Sequence, residues 1–122
     1  MHGWMSRVAA LAMASVWSAP VMAGIEDGDL EEGRQVYNQV CVTCHGEKGD
    51  GKGPAGAALN PPPRDFTTGE FKYGGSDAEL FSIISDGAAA KGGSPSMAPW
   101  SGVYSEKQRW GLVKYIRSLK QG

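Results

Sequence analysis

Two thiols and an imidazole stand together in the segment Cys41-Val42-Thr43-Cys44-His45. The arrangement is C-x-x-C-H, the attachment signature of c-type haem, and its spacing has a physical reason. Thiols three positions apart on one helical turn can each form a thioether with a haem vinyl group, while the residue after the second thiol directs its imidazole at the iron. Other chemistries compete for the same side chains. A thioredoxin-like dithiol would sit among strands alternating with helices. A structural zinc site needs about four protein ligands, and a disulfide across two intervening residues adds little stability. The chain carries neither a strand pattern nor a second Cys/His cluster, so haem attachment is the expected chemistry.

The compartment and the second iron ligand both follow from the N-terminal segment. Arg7 precedes an apolar run from Val8 to Trp17, and Ser18-Ala19-Pro20-Val21-Met22-Ala23 leads into an acidic stretch. This pattern predicts a secretory signal peptide over 1–23, cleaved after Ala23, and a periplasmic product. The alternatives are a retained anchor or a buried helix, although the run falls short of the roughly 20 apolar residues of a spanning helix. Cleavage removes Met1, Met5, Met13, Met22 and His2, which leaves Met97 as the sole methionine and His45 as the sole histidine. Met97 lies in Gly92-Gly93-Ser94-Pro95-Ser96-Met97-Ala98-Pro99-Trp100 and is the expected sixth ligand; the competing role is a methionine filling a core gap. A His/Met pair suits electron transfer.

The elements that must position these residues are few. A chain of 122 residues forms one small domain and excludes a multidomain enzyme. A formal charge of −1 with pI near 6.1 disfavours broad binding to nucleic acid. Residues 29–39 suit a short helix with Asp29, Glu31 and Glu32 early, ending as it approaches Cys41. From Gly46 to Gly75, frequent glycine and Pro61-Pro62-Pro63 predict an irregular wrap. Ser76 with Glu79 starts a helix that Gly87 terminates, and Ser105 with Gln108 starts the terminal helix. Residues 87–104 resist regular structure. The expected class is all-α, about three main helices with long loops around one haem that completes the core of a glycine-rich chain.

These parts resemble a class I c-type cytochrome over residues 24–122. The resemblance rests on Cys41 to His45 followed by Gly46, the Met97 loop, and Trp110-Gly-Leu-Val-Lys-Tyr115-Ile-Arg-Ser-Leu119. It implies that the N- and C-terminal helices cross at a Gly/aromatic contact of Gly33 and Tyr37 with Trp110 or Tyr115. It also implies that the Pro54 carbonyl accepts the Nδ1 proton of His45, fixing the ring. Arg64 is either a partner for a haem propionate or a solvated charge, and Trp100 is expected to pack on the haem.

With His45 and Met97 as axial ligands no coordination position is open. The implied function is one-electron carriage between redox proteins, without catalysis by the chain itself. A haem-based ligand sensor and a cytochrome subunit of a larger, membrane-bound or multisubunit oxidoreductase are the alternatives. Lys48, Lys52 and Lys91 could steer an acidic partner or be ordinary solvated charges.

Overall fold

A computed structural model describes residues 3, 9–15 and 24–122. The predicted cleavage point after Ala23 and the ends of the run from Val8 to Trp17 lie outside the described residues. Among those described there is no β-strand, and no helix is long and apolar enough to cross a membrane. The order is α1 (Leu30–Val36), a π-helical turn (Tyr37–Cys41), α2 (Val42–His45), α3 (Asp77–Asp86) and α4 (Glu106–Ser118). Short 3-10 turns lie at Ile25–Asp27, Gly56–Ala58, Phe66–Thr68 and Ala88–Lys91.

The helix starts follow local chemistry. Asp29 caps α1 by accepting the Glu32 N–H at 2.8 Å. Ser76 accepts from Glu79 N–H at 3.1 Å while Glu79 accepts from Ser76 N–H at 2.9 Å, and Ser105 and Gln108 repeat both distances at the head of α4. Each such cap satisfies donors that the helix cannot, worth about 1 kcal/mol. Gly87 then ends α3 at φ +81°, a conformation that favours glycine.

The first helix does not stop on approaching Cys41. Its backbone runs on through the π turn into α2 and ends at Gly46, where φ is +85°. Nothing from Val36 to His45 is Gly or Pro, so no residue there interrupts the helix.

The most extensive pairing is α1 against α4. A Cβ at Gly33 would lie 1.9 Å from the Gly111 carbonyl oxygen, and one at Gly111 would lie 2.5 Å from the Asp29 oxygen. The two backbones therefore touch, with glycine on both sides. One turn on, Tyr37 meets Tyr115 edge-on at 5.1 Å. Trp110 instead stacks on Phe81 of α3 at 4.0 Å and 15°, so the two aromatics that the resemblance offered to the crossing divide between two helices. Val36, Tyr37, Leu112, Val113 and Ile116 form the buried seam with Phe66, Leu80 and Ile84. Leu80, Ile83 and Ile84 of α3 and Leu112 and Ile116 of α4 also border a cavity that opens to the surface.

Candidate functional site

The π turn does more than extend the helix. In an uninterrupted α-helix, Tyr37, Cys41 and Cys44 would share one face at i, i+4 and i+7. A π turn takes up more residues per revolution and so rotates the residues downstream of it. Gly33 and Tyr37 accordingly face α4, while Cys41, Cys44 and His45 face a cavity of about 490 Å³. Both cysteines are free thiols. Burial, with the neighbouring Cys44 sulfur second, pushes the Cys41 thiol up to about 12. It therefore lacks the thiolate character of a redox-active dithiol.

His45 is held by backbone. Its Nδ1 lies 3.0 Å from the Arg64 carbonyl oxygen. A carbonyl only accepts, so Nδ1 carries the proton and the Nε2 lone pair is left for coordination. Burial, opposed by the bond to Arg64, holds the imidazolium pKa below its ordinary value, which keeps the ring neutral at pH 7. The acceptor is thus Arg64, not Pro54. The loop after α2 folds back so that Gly51, Gly53 and Ala55 donate to the His45, Cys44 and Thr43 carbonyls at 2.8, 3.0 and 2.9 Å. That registry leaves Pro54 exposed and outside the cavity lining. It also demands glycine at 53, where a Cβ would stand 2.3 Å from the Thr43 oxygen.

Met97 lines the same cavity from a loop stitched to the end of α3. Its carbonyl accepts from Ala88 N–H at 3.2 Å and its own N–H donates to Ser94 at 3.2 Å. Trp100 donates to the Ile84 carbonyl at 3.0 Å and also lines the cavity. A Cβ at Gly87 would lie 2.9 Å from the Met97 oxygen, so the end of α3 and the methionine loop are in backbone contact.

Arg64 contributes its carbonyl more than its charge. The guanidinium donates to the Glu70 carbonyl at 2.7 Å and lies 3.9 Å from the Glu70 carboxylate, while the residue stands at the cavity rim. Lys72 is the other basic residue on the lining; Lys48, Lys52 and Lys91 are exposed and do not contribute to it.

The walls otherwise come from Leu80, Ile83 and Ile84 of α3, Leu112 and Ile116 of α4, and Leu59, Phe66 and Phe71 of the long loop. Sequence reasoning missed Phe66, which stacks on the His45 ring at 4.4 Å and 17°. Its position immediately after Arg64-Asp65 gave no periodic signal.

The residues present fit a haem. Two thiols, an imidazole with a free Nε2 and a thioether line one mostly apolar cavity, the donor types of a c-type centre. Among the described residues no His, Cys, Asp and Glu side chains gather as a metal-binding cluster of three or more. The structural zinc reading therefore has no set of ligands there.

Comparison with known proteins identifies the family. The family profile for cytochrome c oxidase, cbb3-type, subunit III matches residues 28–116. The cbb3-type cytochrome c oxidase subunit CcoP of Azospirillum brasilense is 33% identical over 92 residues, covering 75% of this chain and 29% of that protein. Subunit FixP of Azorhizobium caulinodans is 29% identical over 104 residues, covering 83% of this chain and 32% of its own length. The chain thus spans about three tenths of the curated relatives it matches. Among solved structures, a chain of the Kuenenia stuttgartiensis reducing HAO-like protein complex Kustc0457/Kustc0458 superposes with TM-score 0.63 at 32% identity, over 75% of this chain and 44% of that one. The KustC0563 c-type cytochrome gives 0.58 at 28% identity, over 73% of this chain and 98% of that one. With the profile running from just before the N-terminal cap of α1 to the last turn of α4, and the C-x-x-C-H residues lining a cavity walled by α3 and α4, the chain belongs to the cbb3-type cytochrome c oxidase subunit III family and is a class I c-type cytochrome domain.

Proposed function

We propose that this chain binds one haem c, held by thioethers to Cys41 and Cys44 with His45 and Met97 as axial ligands, and carries single electrons between redox proteins. The observation that carries the reading is the gathering of all four side chains on one cavity from two distant chain segments. When bound, the haem supplies a one-electron Fe(III)/Fe(II) couple. The protein's own part is positional and electrostatic. The Arg64 carbonyl orients the imidazole and raises its basicity. The Ala88 and Ser94 bonds fix the loop that presents Met97. The apolar walls from α3 and α4 keep water from the centre, which tunes its potential. With His45 and Met97 both holding the iron, the chain would move electrons and would not itself transform a substrate.

The leader read at residues 1–23 supports export, so the carrier works in the periplasm. A place within a larger oxidoreductase is the second reading. It is favoured by the curated relatives, which are oxidase subunits, and by the structural neighbour drawn from a protein complex. Intact mass of the exported, denatured protein tests the proposal. One haem mass retained on a chain beginning at Gly24 is expected. Loss of the haem on denaturation, or a second haem equivalent, would overturn the attachment as written.

A further inference from the structure

Resting on the reading of His45 as an iron ligand, we propose that Phe66 is a positioning residue that sets the plane of the His45 imidazole by stacking on it. One hydrogen bond from Nδ1 to the Arg64 carbonyl fixes a point on the ring but leaves rotation about that bond open. A second contact on the ring face removes that freedom. Phe66 supplies it at 4.4 Å and 17°, while being only 8% exposed.

The stack is braced from several directions. Phe66 N–H donates to the Gly49 carbonyl at 2.6 Å, tying it to the loop that leaves α2. The Asp65 carboxylate accepts from Thr67 N–H at 2.8 Å and Thr67 Oγ1 at 2.6 Å, which shapes the turn carrying the ring. Gln121 N–H donates to the Thr67 carbonyl at 2.9 Å, and Phe71 packs against Phe66 at 6.2 Å. Arg64 and Phe66 are two residues apart, so a single turn delivers both the hydrogen bond and the stack. A side chain needed only for core volume would not have to lie parallel to the imidazole.

The test uses haem-loaded protein. In the oxidised state the spread of the haem methyl shifts in the proton NMR spectrum reports the axial imidazole plane. Phe66→Leu, which keeps apolar bulk without a ring, should reorder those shifts, and Phe66→Tyr should restore the native order. In the reduced wild-type protein, nuclear Overhauser contacts should link the His45 and Phe66 ring protons, a measurement that needs no variant. An unchanged shift order in Phe66→Leu with only a lowered melting temperature would overturn the proposal, as would absence of the ring-to-ring contacts. A wild-type protein that attaches no haem through His45 would instead overturn the functional reading.

Discussion

The contact between α1 and α4 predicts a substitution effect whose sign is opposite to the one helix propensity alone would give. Replacing an interior helical glycine by alanine should stabilise an unconstrained helix by about 1 kcal/mol. At Gly33 the new Cβ would lie 1.9 Å from the Gly111 oxygen, whereas Cβ atoms essentially never come within 3.0 Å of another heavy atom. The helices must therefore part by about 1.1 Å, and the obstacle is backbone, which cannot rotate away. Parting them loosens Tyr37, Leu112 and Val113, the most deeply buried large side chains. Overpacking of this kind costs about 1–3 kcal/mol, occasionally more. Taking the upper value against the propensity gain leaves a net loss of about 2 kcal/mol, or a melting temperature lower by roughly 8–16 °C for a domain of this size. Thermal unfolding of haem-loaded Gly33→Ala, followed by far-ultraviolet circular dichroism, measures it. Gly102→Ala, with nothing within 4 Å of its Cβ, serves as the control and should melt within a few degrees of wild type. An unchanged or raised melting temperature in Gly33→Ala would refute the backbone contact.

Three further outcomes are expected. Met97→Ala should retain covalent haem but open an axial position, so that carbon monoxide shifts the Soret band of the reduced variant; an axial-ligand spectrum identical to wild type would count against Met97. Cys41→Ala with Cys44→Ala should yield little folded protein, because a cavity of about 490 Å³ is left to be filled by the haem; a compact apoprotein that unfolds cooperatively would contradict this. The hydrogen bonds from Ser76 N–H and the Ser76 side chain hold the Glu79 carboxyl below its ordinary value of 4.5. A depressed folded pKa stabilises above the unfolded value and loses that contribution as pH falls through the folded one. Glu79→Gln should therefore flatten the loss of melting temperature below about pH 4.5, and an identical acid limb would exclude the contribution.

Local signals were legible in the sequence where neighbours alone decide the outcome. The Ser76/Glu79 and Ser105/Gln108 boxes open α3 and α4 because both partners lie within one turn. Gly87 closes α3 for an equally local reason, its positive φ. The C-x-x-C-H segment and Met97 stand out in the sequence because their chemistry is rare, and the fold brings them to one cavity. The end of the first helix was not, since the π turn from Tyr37 to Cys41 depends on packing against α4 and on the rotation needed to turn Cys41 toward the cavity. The acceptor for His45 Nδ1 was misplaced at Pro54 because a carbonyl has no side-chain signature. Only the folded course of the loop decides which carbonyl arrives, and the bonds from Gly51, Gly53 and Ala55 bring in Arg64. Phe66 escaped notice for the same reason: it reaches His45 across 21 positions of irregular chain.

In the proposed function, His45 and Met97 together close the coordination of one haem. The visible spectrum of the haem-loaded protein, oxidised and reduced, with carbon monoxide added to the reduced sample, tests it most directly. A low-spin spectrum unmoved by carbon monoxide under native conditions is the predicted result. A carbon monoxide shift in the native protein would contradict the closed His/Met site and point instead to a ligand-binding haem.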